Sequence, residues 1–157
     1  MKLVGDQDAL ESLPLKLLIV AIVASMSVIP AGEALDGLRD RDFVARAKLE
    51  LETVISVAQT LMLDGPGGAR TIHMDFEGGG SRAFALLTIG DERGGPNMSA
   101  AVLRMKSGAS LVRTATGPEV WMMGRSHDSL VIDEPRCDLR LSTQLTNRTA
   151  YVLVELV

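Results

Sequence analysis

Residues 17–29 read LLIVAIVASMSVI, thirteen consecutive side chains without a charge, and no other feature restricts the fold as much. The uncharged stretch continues through Gly32 and stops at Glu33. As a helix rising ~1.5 Å per residue it spans roughly 24 Å, short of the ~30 Å hydrocarbon core of a bilayer. Lys16 lies at its N-terminal edge. A lysine there lays its stem along apolar surface and keeps its ammonium in water, which lengthens the usable span. Two rival readings compete with a retained apolar helix. A cleavable secretory signal wants a basic region directly before the apolar run. Here Asp6, Asp8 and Glu11 precede it, and the only basic residues upstream of Val20 are Lys2 and Lys16. A helix buried in a soluble domain would need the rest of the chain to cover it on all sides.

The helix is expected to continue beyond this run. Pro30, Gly32 and Gly37 weaken the junction, and Pro30 predicts a bend because it removes a backbone donor and crowds the preceding turn. From Leu35 the pattern turns amphipathic. Leu35, Leu38, Val44, Leu51, Val54, Ile55, Ala58, Leu61 and Met62 recur at spacings that fit one face, while Asp36, Arg39, Asp40, Asp42, Arg46, Lys48 and Glu50 fill most of the rest. The run Asp64-Gly65-Pro66-Gly67-Gly68 stops it.

The remainder reads as short strands. Ile72, Met74 and Phe76 alternate with Thr71, His73 and Asp75; Ala101, Leu103 and Met105 alternate with Arg104 and Lys106; Leu139, Leu141 and Leu145 alternate with Arg140, Ser142 and Gln144. Segments 83–89, 111–116, 120–123 and 129–133 are further candidates, and 150–157 is apolar on both faces except at Glu155, as a central strand is. Turn signals at Gly78-Gly79-Gly80, Gly94-Gly95-Pro96, Gly108, Gly117-Pro118 and Asp133-Glu134-Pro135 separate them. The expected class is α+β: a long N-terminal apolar and amphipathic helix, then an antiparallel sheet or small sandwich as a head.

Catalytic chemistry has little to build on. His73 and His127 make no HxH or HxxxH pair, so a metal site would need distant parts of the chain to converge. Cys137, the single cysteine, excludes an intramolecular disulfide framework and carries no nucleophile signature with His127. The glycine clusters lack the Lys-Ser/Thr ending of a phosphate loop and read as hairpin turns. Sixteen basic against twenty acidic residues, net −4, exclude a generic basic nucleic-acid binder. No enzyme activity, metal or cofactor is expected. Asn97-Met98-Ser99 and Asn147-Arg148-Thr149 fit the glycan acceptor pattern, so Asn97 and Asn147 are candidate modification sites on an extracellular head.

The N-terminus carries the most specific pattern. A short stub with Lys2, then Gly5, an acidic and polar stretch, and Glu11 directly before an apolar helix resembles the class III signal of type IV pilins. Gln7-Asp8-Ala9-Leu10-Glu11-Ser12-Leu13-Pro14-Leu15 resembles the archaeal pilin motif Q-x-S-x-E-x-x-x-L, with Ala9 in place of Ser. A bend-inducing Pro30 late in the apolar stretch, and a helix followed by a β head, extend the likeness along the chain. The resemblance implies a leader of residues 1–6, a helix over 7–63, a linker at 64–70 and a head over 71–157. It implies that prepilin peptidase cuts after Gly5 or Asp6, leaving Asp6 or Gln7 first. The helix then anchors in the membrane before packing into a filament core. By motif position Glu11 pairs with a neighbouring subunit's terminal amine; read from the residues alone, Glu11, Asp6 and Asp8 simply favour a helix N-terminus. Leu15 and Pro30 belong to the same packing surface. Lys16 departs from a dry core and needs a partner such as Glu11 of another copy. The implied function is a structural subunit, major or minor, of a cell-surface filament for adhesion or motility, its partners other copies of itself or other pilins. The alternative is a membrane-anchored envelope β domain that never polymerises, such as an archaellum stator-like or surface-layer-binding protein.

Overall fold

The computed structural model describes residues 7–116, 120–146 and 149–157, without the side chains of 7–14, 26–31 and 33. A single helix, α1, runs Gln7–Asp64. It continues as helix through Pro30, Gly32 and Gly37. It ends where Gly65 adopts a left-handed conformation (φ 88°) and donates its N–H to the Leu61 carbonyl at 3.2 Å, which satisfies one of the last free acceptors. The chain divides into two compact units, Met1–Leu38 and Arg39–Val157.

The first unit is helical from Gln7. Among its described residues the second combines the rest of α1 with eight strands: β1 (Ala69–Asp75), β2 (Phe84–Ile89), β3 (Ala100–Met105), β4 (Ser110–Thr114), β5 (Met122–Met123), β6 (Leu130–Ile132), β7 (Arg136–Thr146) and β8 (Thr149–Leu156). They form two four-stranded sheets, ordered β1-β7-β8-β5 and β4-β3-β2-β6. The unit is α+β. Hairpins β2–β3, β3–β4 and β7–β8 are antiparallel, with Leu103 opposite Leu87 and Leu141 opposite Val154. β1 joins β7 across a long separation, with Ile72 opposite Leu139.

One expectation is corrected here. The sheets are not wholly antiparallel: β5 pairs with β8 in parallel, Met122 opposite Val152. It reaches β8 from the opposite sheet rather than from a hairpin, and Val152 N–H to Trp121 O at 2.7 Å holds the approach.

The two sheets share one core with α1. Met74, Leu139, Leu141, Val152 and Val154 enter it from the first sheet, and Leu87, Ile89, Ala101, Leu103 and Ile132 from the second. From α1 come Phe43, Ala47, Leu51, Val54, Ile55, Ala58 and Leu61. Their separations of three and four residues place them on one side of the helix. The anticipated stripe was shifted: Leu35 and Leu38 are exposed, whereas Phe43 and Ala47 are buried. Leu145 is exposed too, although it shares a strand face with Leu139 and Leu141. Thr143, the one buried polar residue of that face, donates its hydroxyl to the Leu61 carbonyl at 3.0 Å. Backbone bonds from Gly67 N–H to Thr143 O and from Thr143 N–H to Gly68 O tie the end of α1 to β7. Gly90 (φ 69°) directly follows β2 and passes close to β5: an added Cβ there would lie 2.1 Å from the Met122 carbonyl oxygen, so only glycine fits.

Candidate assembly surface

Leu15, Leu17, Leu18, Ile19, Val20, Ile22 and Val23 follow one another on α1, and all are exposed. At ~100° per residue they point all round the helix, so no single flat neighbour covers them. Lys16 is exposed among them. Ser25 turns its hydroxyl back to the Ile22 carbonyl at 2.8 Å, so even this polar side chain presents little hydrogen-bonding demand outward. A contiguous apolar surface of this kind is rare on a free monomer and marks a surface that is covered in use. Burying each such side chain contributes ~1.5–3 kcal/mol. Among the described residues no helix is long and apolar enough to cross a membrane.

The residues singled out from the sequence are distributed as follows. Leu15 and Lys16 lie on the exposed helical segment. Gln7 opens α1, and Glu11 and Pro30 lie within it, their side chains outside the description. Gly5 and Asp6 lie outside the described residues, as does Asn147. Asn97 is half-buried in the turn before β3, where its N–H approaches Asp91 Oδ2 at 3.4 Å and its carbonyl accepts from Ala100 at 2.9 Å.

The candidate catalytic groups do not converge. His73 Nδ1 meets Asp138 Oδ1 at 2.7 Å across β1 and β7, on an exposed face. His127 lies in the β5–β6 turn with φ 66°. Cys137 is half-buried, and burial, followed by the charges of Asp138 and Glu134, pushes its thiol up to about 11. That is the reverse of an activated nucleophile, which needs a thiolate near neutral pH. Among the described residues no three His, Cys, Asp or Glu side chains group as metal ligands.

One polar constellation was not legible in the motifs. Asp40 of α1 accepts hydrogen bonds from Gly80 N–H (2.9 Å), Arg82 N–H (3.1 Å) and Ser81 Oγ (2.7 Å). The Ser81 hydroxyl first, then the Arg82 amide, hold its carboxyl below the ordinary 3.8. A carboxylate among like-patterned charges gives no sequence signal; only its meeting with a loop some forty residues later does.

No protein-family model matches the chain, and no curated protein or solved structure is significantly similar to it.

Proposed function

We propose that this chain is a structural subunit of a type IV pilus-like surface filament, assembled through its N-terminal helix. The observation that carries the reading is the exposed apolar surface of residues 15–23, which faces all round the helix. A helix apolar on every side suits a bundle of like helices, where each is surrounded by others. The resemblance of residues 7–15 to the archaeal pilin motif supports the same conclusion. In this reading prepilin peptidase removes residues 1–5 or 1–6, the membrane holds the helix before assembly, and the heads form the outer surface. Glu11 pairs with a neighbour's terminal amine and Lys16 finds a carboxylate in another copy, since an unpaired charge among packed helices is costly. Glycans on Asn97 and Asn147 would decorate the outside. Adhesion or motility is then a property of the assembly.

Mass spectrometry of the mature N-terminus, on protein taken from the native cell envelope, tests this. A start at Asp6 or Gln7, together with filaments that Glu11→Ala abolishes while membrane insertion persists, is the expected result. A start at Met1 would overturn the filament reading in favour of a membrane-anchored, non-polymerising β domain. A start beyond about Ala31 would make the apolar run a discarded secretory signal.

A further inference from the structure

Within Arg39–Val157, the segment between β1 and β2 does more than connect two sheets. Glu77 N–H donates to Asp75 Oδ1 at 2.8 Å and starts the turn. The Glu77 carbonyl accepts from Arg46 Nη2 at 3.3 Å, and Arg46 is itself oriented by Asp42 at 3.1 Å. Gly80, Ser81 and Arg82 then converge on the Asp40 carboxylate. At the far end Lys106 N–H donates to Ala83 O at 2.8 Å, which fastens the segment to β3. Gly79 (φ 77°) lies so close to the helix that an added Cβ would stand 2.9 Å from the Phe43 ring and 3.2 Å from the Ala83 backbone. The backbone is thus laid across α1 at the point where the helix enters this compact unit.

The helix beneath is held unevenly. From Leu51 onward Leu51, Val54, Ala58 and Leu61 are almost fully buried, Thr143 of β7 donates to the Leu61 carbonyl, and Gln59 donates to the Thr116 carbonyl. Between Arg39 and Leu51 the buried apolar residues are Phe43 and Ala47, with Val44 partly buried against the core beside them. There the strap adds hydrogen bonds to Asp40 and Arg46. Segments with few buried contacts open before the rest of a domain does.

We propose that Glu77–Arg82 is a latch on α1. Closed, it docks the helix to the head from Asp40; open, it releases the turns around Asp40–Arg46 while docking persists from Leu51. Its key is the Asp40 carboxylate, which holds three donors at once; the loop's glycines exist to reach it. The latch therefore sets how much of α1 is free of the head, by up to about two helical turns. It does not depend on what covers residues 15–23.

Amide hydrogen exchange on the full chain, solubilised in mild detergent, tests the proposal. In Asp40→Ala, the amides of Gly80, Arg82 and Val44–Lys48 are expected to exchange about tenfold faster, because charge-assisted hydrogen bonds are lost. Those of 54–61 and of β7 should change less than about twofold. Ser81→Ala, which removes one donor and leaves the carboxylate, should give the same pattern at lower amplitude. Faster exchange confined to 77–82 would overturn the latch, since the strap would then not hold the helix. A uniform increase across the head in both variants would overturn it too, because opening would be global unfolding.

Discussion

Residues 15–23 and residues 43–61 belong to one helix, yet their apolar side chains meet opposite fates. Around the first segment, side chains of the size of Leu and Ile are about half exposed or more; Leu17 is 65% accessible. Around the second, Leu51, Val54 and Ala58 have no accessible surface, while Leu49 on the outer side is 69% accessible. The difference lies in pattern and not in hydrophobicity. Residues at separations of three and four fill one side and leave the other to Asp, Arg, Lys and Glu, so a single pair of sheets satisfies them. A run without polar interruptions offers no outer side, and only a surround would satisfy it. The second segment is explained by its own head; the first is left exposed, which is the ground for the proposed assembly.

This contrast is most directly broken by truncating one leucine from each segment and following unfolding of the head through its single tryptophan, Trp121. Leu51→Ala leaves a cavity in the shared core and should cost about 2–5 kcal/mol in a urea titration. Leu18→Ala should change the same transition by less than about 0.5 kcal/mol, because Leu18 is exposed. Equal losses would show that residues 15–23 pack on the head after all. Gly90→Ala sharpens the picture on the sheet side. The left-handed backbone alone costs an alanine about 1–3 kcal/mol, and the Met122 carbonyl leaves no room for the methyl. A neutral Gly90→Ala would mean that β5 does not close on β2 as described. Thr143→Val comes next, at about 0.5–1.5 kcal/mol. The Leu61 carbonyl retains the Gly65 N–H when the hydroxyl is removed, so the loss stays small. A larger loss would identify that hydroxyl as the main tie between α1 and β7.

Much of this was legible because it is local. The alternation of Ile72, Met74 and Phe76, and of Leu139 with Leu141, depends only on the two-residue period of a strand, and those side chains face the core. The two-sided apolar character of 150–157 agrees with β8 lying between β7 and β5. What was not legible is non-local. Leu35 and Leu38 fit the helical stripe by spacing as well as Phe43 does, but they are exposed and precede the compact unit that begins at Arg39. The parallel pairing of β5 with β8 arises from a crossover between sheets, to which periodicity is blind. Gly78-Gly79-Gly80 has the composition of a hairpin turn; its use as a strap over Phe43 is decided by Asp40, a residue that looks like one more solvated helix charge. Of the candidate surface, the uncharged run was plain in the sequence, since the absence of charge needs no tertiary knowledge.

The smallest expected effects concern two acids on the covered half of α1, and they have opposite signs. Hydrogen bonds from Ser81 and Arg82 lower the Asp40 carboxyl below 3.8. A lowered folded value means that the ionised form stabilises: the contribution is complete above pH 3.8 and is lost as pH falls through the folded value. Burial, followed by the neighbouring charge of Asp75, raises the Glu50 carboxyl above 4.5. A raised folded value favours the protonated form, so its contribution is present below pH 4.5 and lost as pH rises through the folded value. At pH 7 the native head therefore gains from Asp40 and loses at Glu50. Asp40→Asn should lower the urea midpoint at pH 7, and the deficit should shrink once pH drops below about 3.8. Glu50→Gln should raise the midpoint at pH 7, and that advantage should vanish below about pH 4.5. Parallel pH dependences in the two variants would contradict the assignment, since one carboxylate is held by donated hydrogen bonds and the other is burdened by burial beside a like charge.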